Sequence, residues 1–297
     1  MASLFLGCKT MWFLFALCTA LGQALKDVLM KHTVKSVDVL VVTWSYYAVA
    51  SLFTGIVVLF HGIPSIGPGY MPSLAITSVV LSIAAILYTT ALKSSDLSLS
   101  APMLTTTPLF LLVTSPLIVG EFPDVTGLFG VVFIVVGSYV LNLGERKRGL
   151  LAPLTAIVRE RGPRYMLIVA LLWSISANID KIGIRDSDPL FWLFSVFSGV
   201  CLILTPLVLL RSRDKLHVLL HRPLPFLAMG MLESTSIMAQ MYALTLAIVP
   251  YVIAVKRMNA IFGVLFGALF FKEQGLRHRL PGAGLMVAGV ALIALSG

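Results

Sequence analysis

The chain has 297 residues, 58% hydrophobic and 12% charged, and its 22 Lys and Arg against 13 Asp and Glu leave a net charge of +9. Soluble domains run near ~45–50% apolar and ~25% charged because their surfaces face water. A mean hydropathy of +0.97 therefore excludes an ordinary soluble domain, a disordered chain and a collagen, and in so apolar a chain the basic excess reads as a topology signal before it reads as a nucleic-acid surface.

A membrane-spanning helix needs ~20 mostly apolar residues. Ten segments meet that length in chain order: 10–31, 38–61, 72–93, 97–120 and 125–143, then 165–185, 189–210, 224–246, 250–271 and 278–296. The first apolar run continues past Gly22 without a cleavage pattern, so it reads as a span rather than a signal peptide. Between His61 and Pro72, the residues Gly62, Pro64, Gly67, Pro68 and Gly69 read as a loop with two turns. The predicted fold is thus an all-α integral membrane protein of ten transmembrane helices. Residues 1–143 and 165–297 form two five-helix repeats, and 144–164 form a basic connector. Sixteen Lys and Arg residues, from Lys31 to Arg279, fall in connectors after odd-numbered spans, against Lys9 and Arg185 on the other face. That bias predicts both termini outside.

The halves align with one another. A shift of 152 residues puts Ala91 and Leu92 on Ala243 and Leu244, Glu121 on Glu273, Gly130 on Gly282, and Gly137 on Gly289. Shifts of 155 and 150 pair Gln23 with Asn178, Lys26 with Lys181, Asp38 with Asp188, and Ser45 with Ser195. Because five is odd, the second unit threads the membrane in the opposite sense, which gives inverted repeats and the geometry of alternating access. Duplication as a way to grow a bundle is the plainer alternative.

Polar residues inside spans need a reason, since a charge near a helix centre costs ~2.5–3.5 kcal/mol on insertion scales. The ninth span carries Lys256, Arg257 and Asn259, and the eighth carries Glu233 and Gln240 on one face. One reading is a structural ion pair between Glu233 and a cation of the ninth span. The other is a cationic pocket in which Arg257 grips an anionic group bidentately and Lys256 acts as a point charge. Thr105, Thr106 and Thr107 lie between Pro102 and Pro108, where the 152 shift places Arg257, Met258 and Asn259. Their hydroxyls either satisfy carbonyls freed by the prolines or line the cavity. Gln23 and Asn178 precede Lys26 and Lys181, and the adjacent Asp27 and Asp180 are read as local neutralisers of those lysines. The spacings Gly263/Gly267 and Gly127/Gly130/Gly137 are read as close helix packing.

Chemistry is not visible. No phosphate-cradling glycine loop, HExxH or GxSxG is present. Cys8, Cys18 and Cys201 are odd in number and form no CxxC, which argues against a disulfide framework or zinc site. The five histidines fall in connectors or at span ends. No cofactor, metal or enzymatic activity is expected.

The ten spans in two halves, the Ala91-Leu92 and Ala243-Leu244 pairs, Glu121 and Glu273, and the glycine-rich fifth and tenth spans together resemble the EamA-type transporters of the drug/metabolite transporter superfamily. The resemblance covers essentially the whole chain. It implies a carrier of bacterial inner-membrane type with a central cavity between the halves, working by alternating access. The Lys256-Arg257 pair is also similar to the Lys-Arg pair that the related triose-phosphate and nucleotide-sugar translocators place against phosphate. The Thr105–Thr107 segment departs from that pattern, so only an anionic or zwitterionic preference carries over. The expected partners are a small-molecule substrate and the lipid bilayer, with no nucleic acid, and the expected assembly is a monomer or homodimer. Candidate substrate-binding residues are Gln23, Thr105, Thr106, Asn178, Glu233, Gln240, Lys256, Arg257 and Asn259. The competing classes are a proton-coupled drug or amino-acid exporter using Glu233, a lipid-linked-anion flippase, and a membrane enzyme.

Overall fold

A computed structural model describes residues 2–94, 102–142, 159–271 and 276–296. Every regular element among them is helical. In the first half these are α1 (Ala2–Val34), α2 (Val39–His61), α3 (Tyr70–Ser94), α4 (Thr107–Ile118) and α5 (Val125–Asn142). The second half holds α6 (Arg161–Arg185), α7 (Pro189–Arg211), α8 (Pro223–Leu246), α9 (Val249–Lys256), α10 (Asn259–Phe271) and α11 (Leu276–Leu295). Six stretches are long and apolar enough to cross a membrane: Met11–Val34, Val39–His61, Tyr70–Ser94, Arg161–Arg185, Pro189–Arg211 and Val249–Phe266. Pro102–Ile118, Val125–Leu141 and Arg279–Leu295 are shorter apolar helices. The basic connector at 144–158 and Glu273, with its place in the repeat, lie outside the described residues.

Local chemistry sets the helix boundaries. Asp38 caps α2 by accepting from the Leu40 N–H at 2.9 Å, and Asp188 caps α7 by accepting from Leu190 and Phe191 at 2.8 and 3.1 Å. The repeat match between these aspartates is thus a match of helix starts. At the other end of α2, Gly62 takes φ +93° while its N–H bonds the Val58 carbonyl at 2.8 Å, a left-handed exit that favours glycine. The following loop docks on the end of α6, where the N–H groups of Gly67 and Gly69 reach the Asp186 carbonyl and carboxylate, both at 2.7 Å.

Two of the expected spans are discontinuous, and they break at repeat-related positions. Residues 105–106 interrupt the helical run from Pro102 to Ile118, and residues 257–258 separate α9 from α10. In the first break Pro108 has no N–H for the Leu104 carbonyl, and the Thr107 hydroxyl supplies the bond instead at 2.7 Å. Thr105 and Thr106 likewise donate to the Pro102 and Met103 carbonyls at 2.7 and 2.6 Å. Around the second break the backbone tightens to i→i−3 bonds, Arg257 to Ala254 and Met258 to Val255, at 3.0 and 2.9 Å.

Packing follows exchange of the halves. Helix α1 packs on α8 as α3 packs on α6, α4 lies against α6 as α9 and α10 lie against α1, and α2 pairs with α7. The closest crossing joins α5 and α11. A Cβ on Gly130 would lie 2.7 Å from the Gly289 carbonyl oxygen, and one on Gly137 would lie 2.6 Å from that of Gly282. Each glycine therefore meets the repeat mate of the other, an antiparallel two-fold contact in which only backbone fits. Gly127 instead faces the Tyr251 side chain. Among the described residues nothing stands within 4 Å of a Cβ built on Gly263, so the expected close packing does not occur against them. The side chains of Trp192, Met229 and Leu244 are fully buried in the core that surrounds the central cavity.

Candidate functional site

The cavity lies where α1, α2, α3, α6, α7, α8 and α9 converge with the first residue of α4, and its volume is about 70 Å³. Lys256 ends the half-helix α9 and Arg257 follows it, so both cations sit at the negative end of a helix dipole, where positive charge is favoured. The Lys256 Nζ donates to Gln240 Oε1 at 2.6 Å, and Arg257 Nη2 donates to Thr107 Oγ1 at 3.1 Å. Both cations lie over the Trp173 ring, each 5.8 Å from its centroid. Arg257 is buried, and its Nε has no hydrogen-bond partner among the described residues.

The structure corrects the expected charge pairing. Glu233 accepts from Lys26 Nζ at 2.7 Å and from Gln23 Nε2 at 2.8 Å, and neither cation of the ninth span reaches it within ion-pair distance. Lys26 lies between tyrosines, 5.3 Å from the Tyr46 ring and 6.0 Å from that of Tyr88. Contrary to expectation, Asp27 and Asp180 form no ion pairs with the neighbouring lysines. Asp27 accepts from the Tyr88 hydroxyl at 2.7 Å, and Asp180 accepts from Trp192 Nε1 at 3.0 Å. Lys181 pairs with Glu121 and donates to the Ala247 carbonyl at 2.9 Å. Glu121 in turn accepts from the Val249 N–H at 2.9 Å, the first residue of α9. This cross-half contact borders a second, wider cavity of about 400 Å³ near Asp188 and Leu244.

Of the candidate residues, the structure brings Gln23, Glu233, Gln240, Lys256 and Arg257 to the central cavity, and Thr107 joins them. Thr105 and Thr106 are occupied with backbone carbonyls and do not line it. Asn178 also lies outside the lining, donating to Thr114 Oγ1 at 3.0 Å and to the Ser174 carbonyl at 2.8 Å. Asn259 opens α10 and is not a lining residue either. Sequence reasoning missed Lys26, Asp180 and the aromatic wall of Tyr46, Tyr47, Tyr88 and Trp173. In an apolar span a lone tyrosine or tryptophan carries the same signal whether it faces a cavity or a core.

No group of three or more His, Cys, Asp or Glu side chains suited to a metal occurs among the described residues. The described thiols Cys18 and Cys201 are unpaired.

Comparison with known proteins agrees with this architecture. The profile of the EamA-like transporter family matches twice, over residues 10–143 and 161–295. A solved structure, titled only as a crystal structure of a protein, superposes with a TM-score of 0.75 at 14% identity and covers 96% of each chain. That likeness concerns the fold. No curated protein matches the sequence.

Proposed function

The chain belongs to the EamA-like transporter family, membrane transporters of the drug/metabolite transporter superfamily, and from that premise we propose that it is a secondary transporter for a small polar metabolite bearing negative charge, alone or as a zwitterion. The observation that supports this most is the state of Lys256 and Arg257. Both line the central cavity at a helix break, and their hydrogen bonds go to the neutral Gln240 and Thr107. A carboxylate or phosphate entering there gains two charge-assisted contacts in a low-dielectric site, with the guanidinium fork able to bind two oxygens at once. Trp173 supports both cations from below.

Movement follows from the repeat. The Glu121–Lys181 contact holds the ends of the fourth and sixth spans to the start of the ninth on one face. Exchange of conformations between the halves releases that face and closes the other, so the central site is presented to each compartment in turn. The loop-charge bias orients the protein with both termini outside a plasma membrane of bacterial type. A cation exporter that titrates at Glu233 is the weaker reading, because that carboxylate already holds Lys26 and Gln23.

Uptake and counterflow of radiolabelled metabolites in proteoliposomes test the proposal. Transport of an anionic or zwitterionic solute that falls at least tenfold in Lys256→Ala and Arg257→Ala supports it. Transport unchanged by both substitutions overturns the site.

A further inference from the structure

The cavity contains a carboxylate that the proposed function leaves without a role. Asp180 is 3% exposed and lines the same cavity as Lys256 and Arg257. Its recorded hydrogen bond comes from an uncharged donor, the indole of Trp192. Among the described residues no basic group stands within ion-pair distance of it, since its sequence neighbour Lys181 is turned away to Glu121. Tyr47 on α2 and Lys256 on α9 act on it electrostatically, the cavity also holds Lys26 on α1, Tyr88 on α3, Glu233 on α8 and Arg257 after α9, and Asp27 on α1, bonded to Tyr88, acts on the two cations Lys256 and Arg257. Of these, Glu233 is neutralised by Lys26, and the two cations are the groups assigned to the substrate anion. An anion bound at Lys256 and Arg257 therefore sits in one small, buried chamber with a second negative charge whenever Asp180 is ionised, and like charges repel more strongly there than in bulk water.

We propose that Asp180 is the coupling site of this transporter and takes up one proton together with the anionic substrate, making transport a proton–anion symport. The inference rests on the anion-binding reading of Lys256 and Arg257. A proton added to Asp180 on the open side removes the repulsion and favours substrate binding. The doubly loaded cavity then turns over, and loss of the proton on the far side restores the carboxylate and favours release. Proton and substrate help each other bind by the same factor, as linkage requires. Asp180 suits this role better than Glu233, whose charge is fixed by an ion pair.

The test uses the full chain in proteoliposomes with the solute identified in the uptake and counterflow screen. For a monoanion moved with one proton, a gradient of one pH unit supports about tenfold accumulation on the alkaline side. In Asp180→Asn the solute concentration ratio supported by the pH gradient should collapse from about ten toward one while counterflow continues. Asp180→Glu should restore gradient-driven accumulation with a shifted pH dependence. Infrared difference spectra between acid and neutral pH should show a protonated-carboxyl carbonyl band that vanishes in Asp180→Asn and persists in Glu233→Gln, a readout that requires no transport. Accumulation by wild type that ignores the pH gradient overturns the proposal. So does a carbonyl band that follows Glu233, or an Asp180→Asn protein that loses counterflow and accumulation in equal measure. Failure of the anion site is separate, and it shows as transport indifferent to Lys256→Ala and Arg257→Ala.

Discussion

Replacing Lys26 by Met should destabilise the protein through Glu233, and a second substitution should undo most of the damage. The Lys26 Nζ lies 2.7 Å from the Glu233 carboxylate, and the two side chains are 3% and 8% exposed. At an effective dielectric of about 20 the Coulomb attraction at that separation is on the order of 6 kcal/mol, much of it offset by the cost of taking both ions out of water. Removing one partner of such a buried pair costs about 3–5 kcal/mol, because the survivor stays buried and charged. In Lys26→Met the carboxylate keeps the Gln23 amide at 2.8 Å, which places the expected loss near 3 kcal/mol, at the low end of that range. Adding Glu233→Gln to Lys26→Met removes the stranded charge, and a coupling of at least ~2 kcal/mol should appear in the double-mutant cycle. Unfolding of the purified protein by denaturant in detergent, with all four variants compared, measures it. Additive losses, or a Lys26→Met protein as stable as wild type, would refute the claim that this pair is buried and mutually dependent.

Other consequences are open to measurement. Gly137→Leu should destabilise by about 1–3 kcal/mol, since a Cβ there lies 2.6 Å from the Gly282 carbonyl; Gly263→Ala, with open space around it, should be neutral or stabilising by up to ~1 kcal/mol, and thermal unfolding in detergent compares the two. Burial alone would raise the Asp38 carboxyl, but hydrogen bonds from Lys215, the Leu40 N–H and Ser212 together hold it below the usual carboxylate value. A depressed native value means that its contribution is full above the unfolded-state carboxylate range near ~4 and is lost as the pH falls through the lower native value. Asp38→Asn should therefore flatten the acid limb of a stability–pH curve, and an unchanged limb would count against the Asp38 contacts. Trp173→Leu removes the ring beneath Lys256 and Arg257; substrate affinity should fall by the ~0.5–2 kcal/mol typical of cation–π contacts, with Trp173→Phe intermediate, as read by counterflow KM.

The parts legible in sequence were those whose signal is periodic or costly. Apolar runs marked the helices, and the price of a charge in lipid singled out Lys256, Arg257 and Glu233. The repeat match of Asp38 with Asp188 was legible because both positions meet the same local need, an acceptor at a helix start. The reading failed where sequence proximity stood in for space. Asp27 follows Lys26, and Lys181 follows Asp180, but consecutive residues on a helix point about 100° apart. Lys26 accordingly finds Glu233, 207 positions away, while Asp27 finds Tyr88. The threonines of the fourth span show the other limit. Proline explains why the Leu104 carbonyl needs the Thr107 hydroxyl, but only the three-dimensional crossing shows that Thr107 also receives a bond from Arg257.

The crossing of α5 and α11 works as a clasp. Ile134 and Leu141 on one helix stand within 3 Å of where a Cβ would lie on Gly289 and Gly282, and Met286 and Ile293 on the other stand as close to Gly137 and Gly130, so the glycines are sockets and those four side chains are the studs that fill them. Tilting one helix alone would pull the studs out, so α11 travels with α5 as one unit while the helices around the central chamber swing.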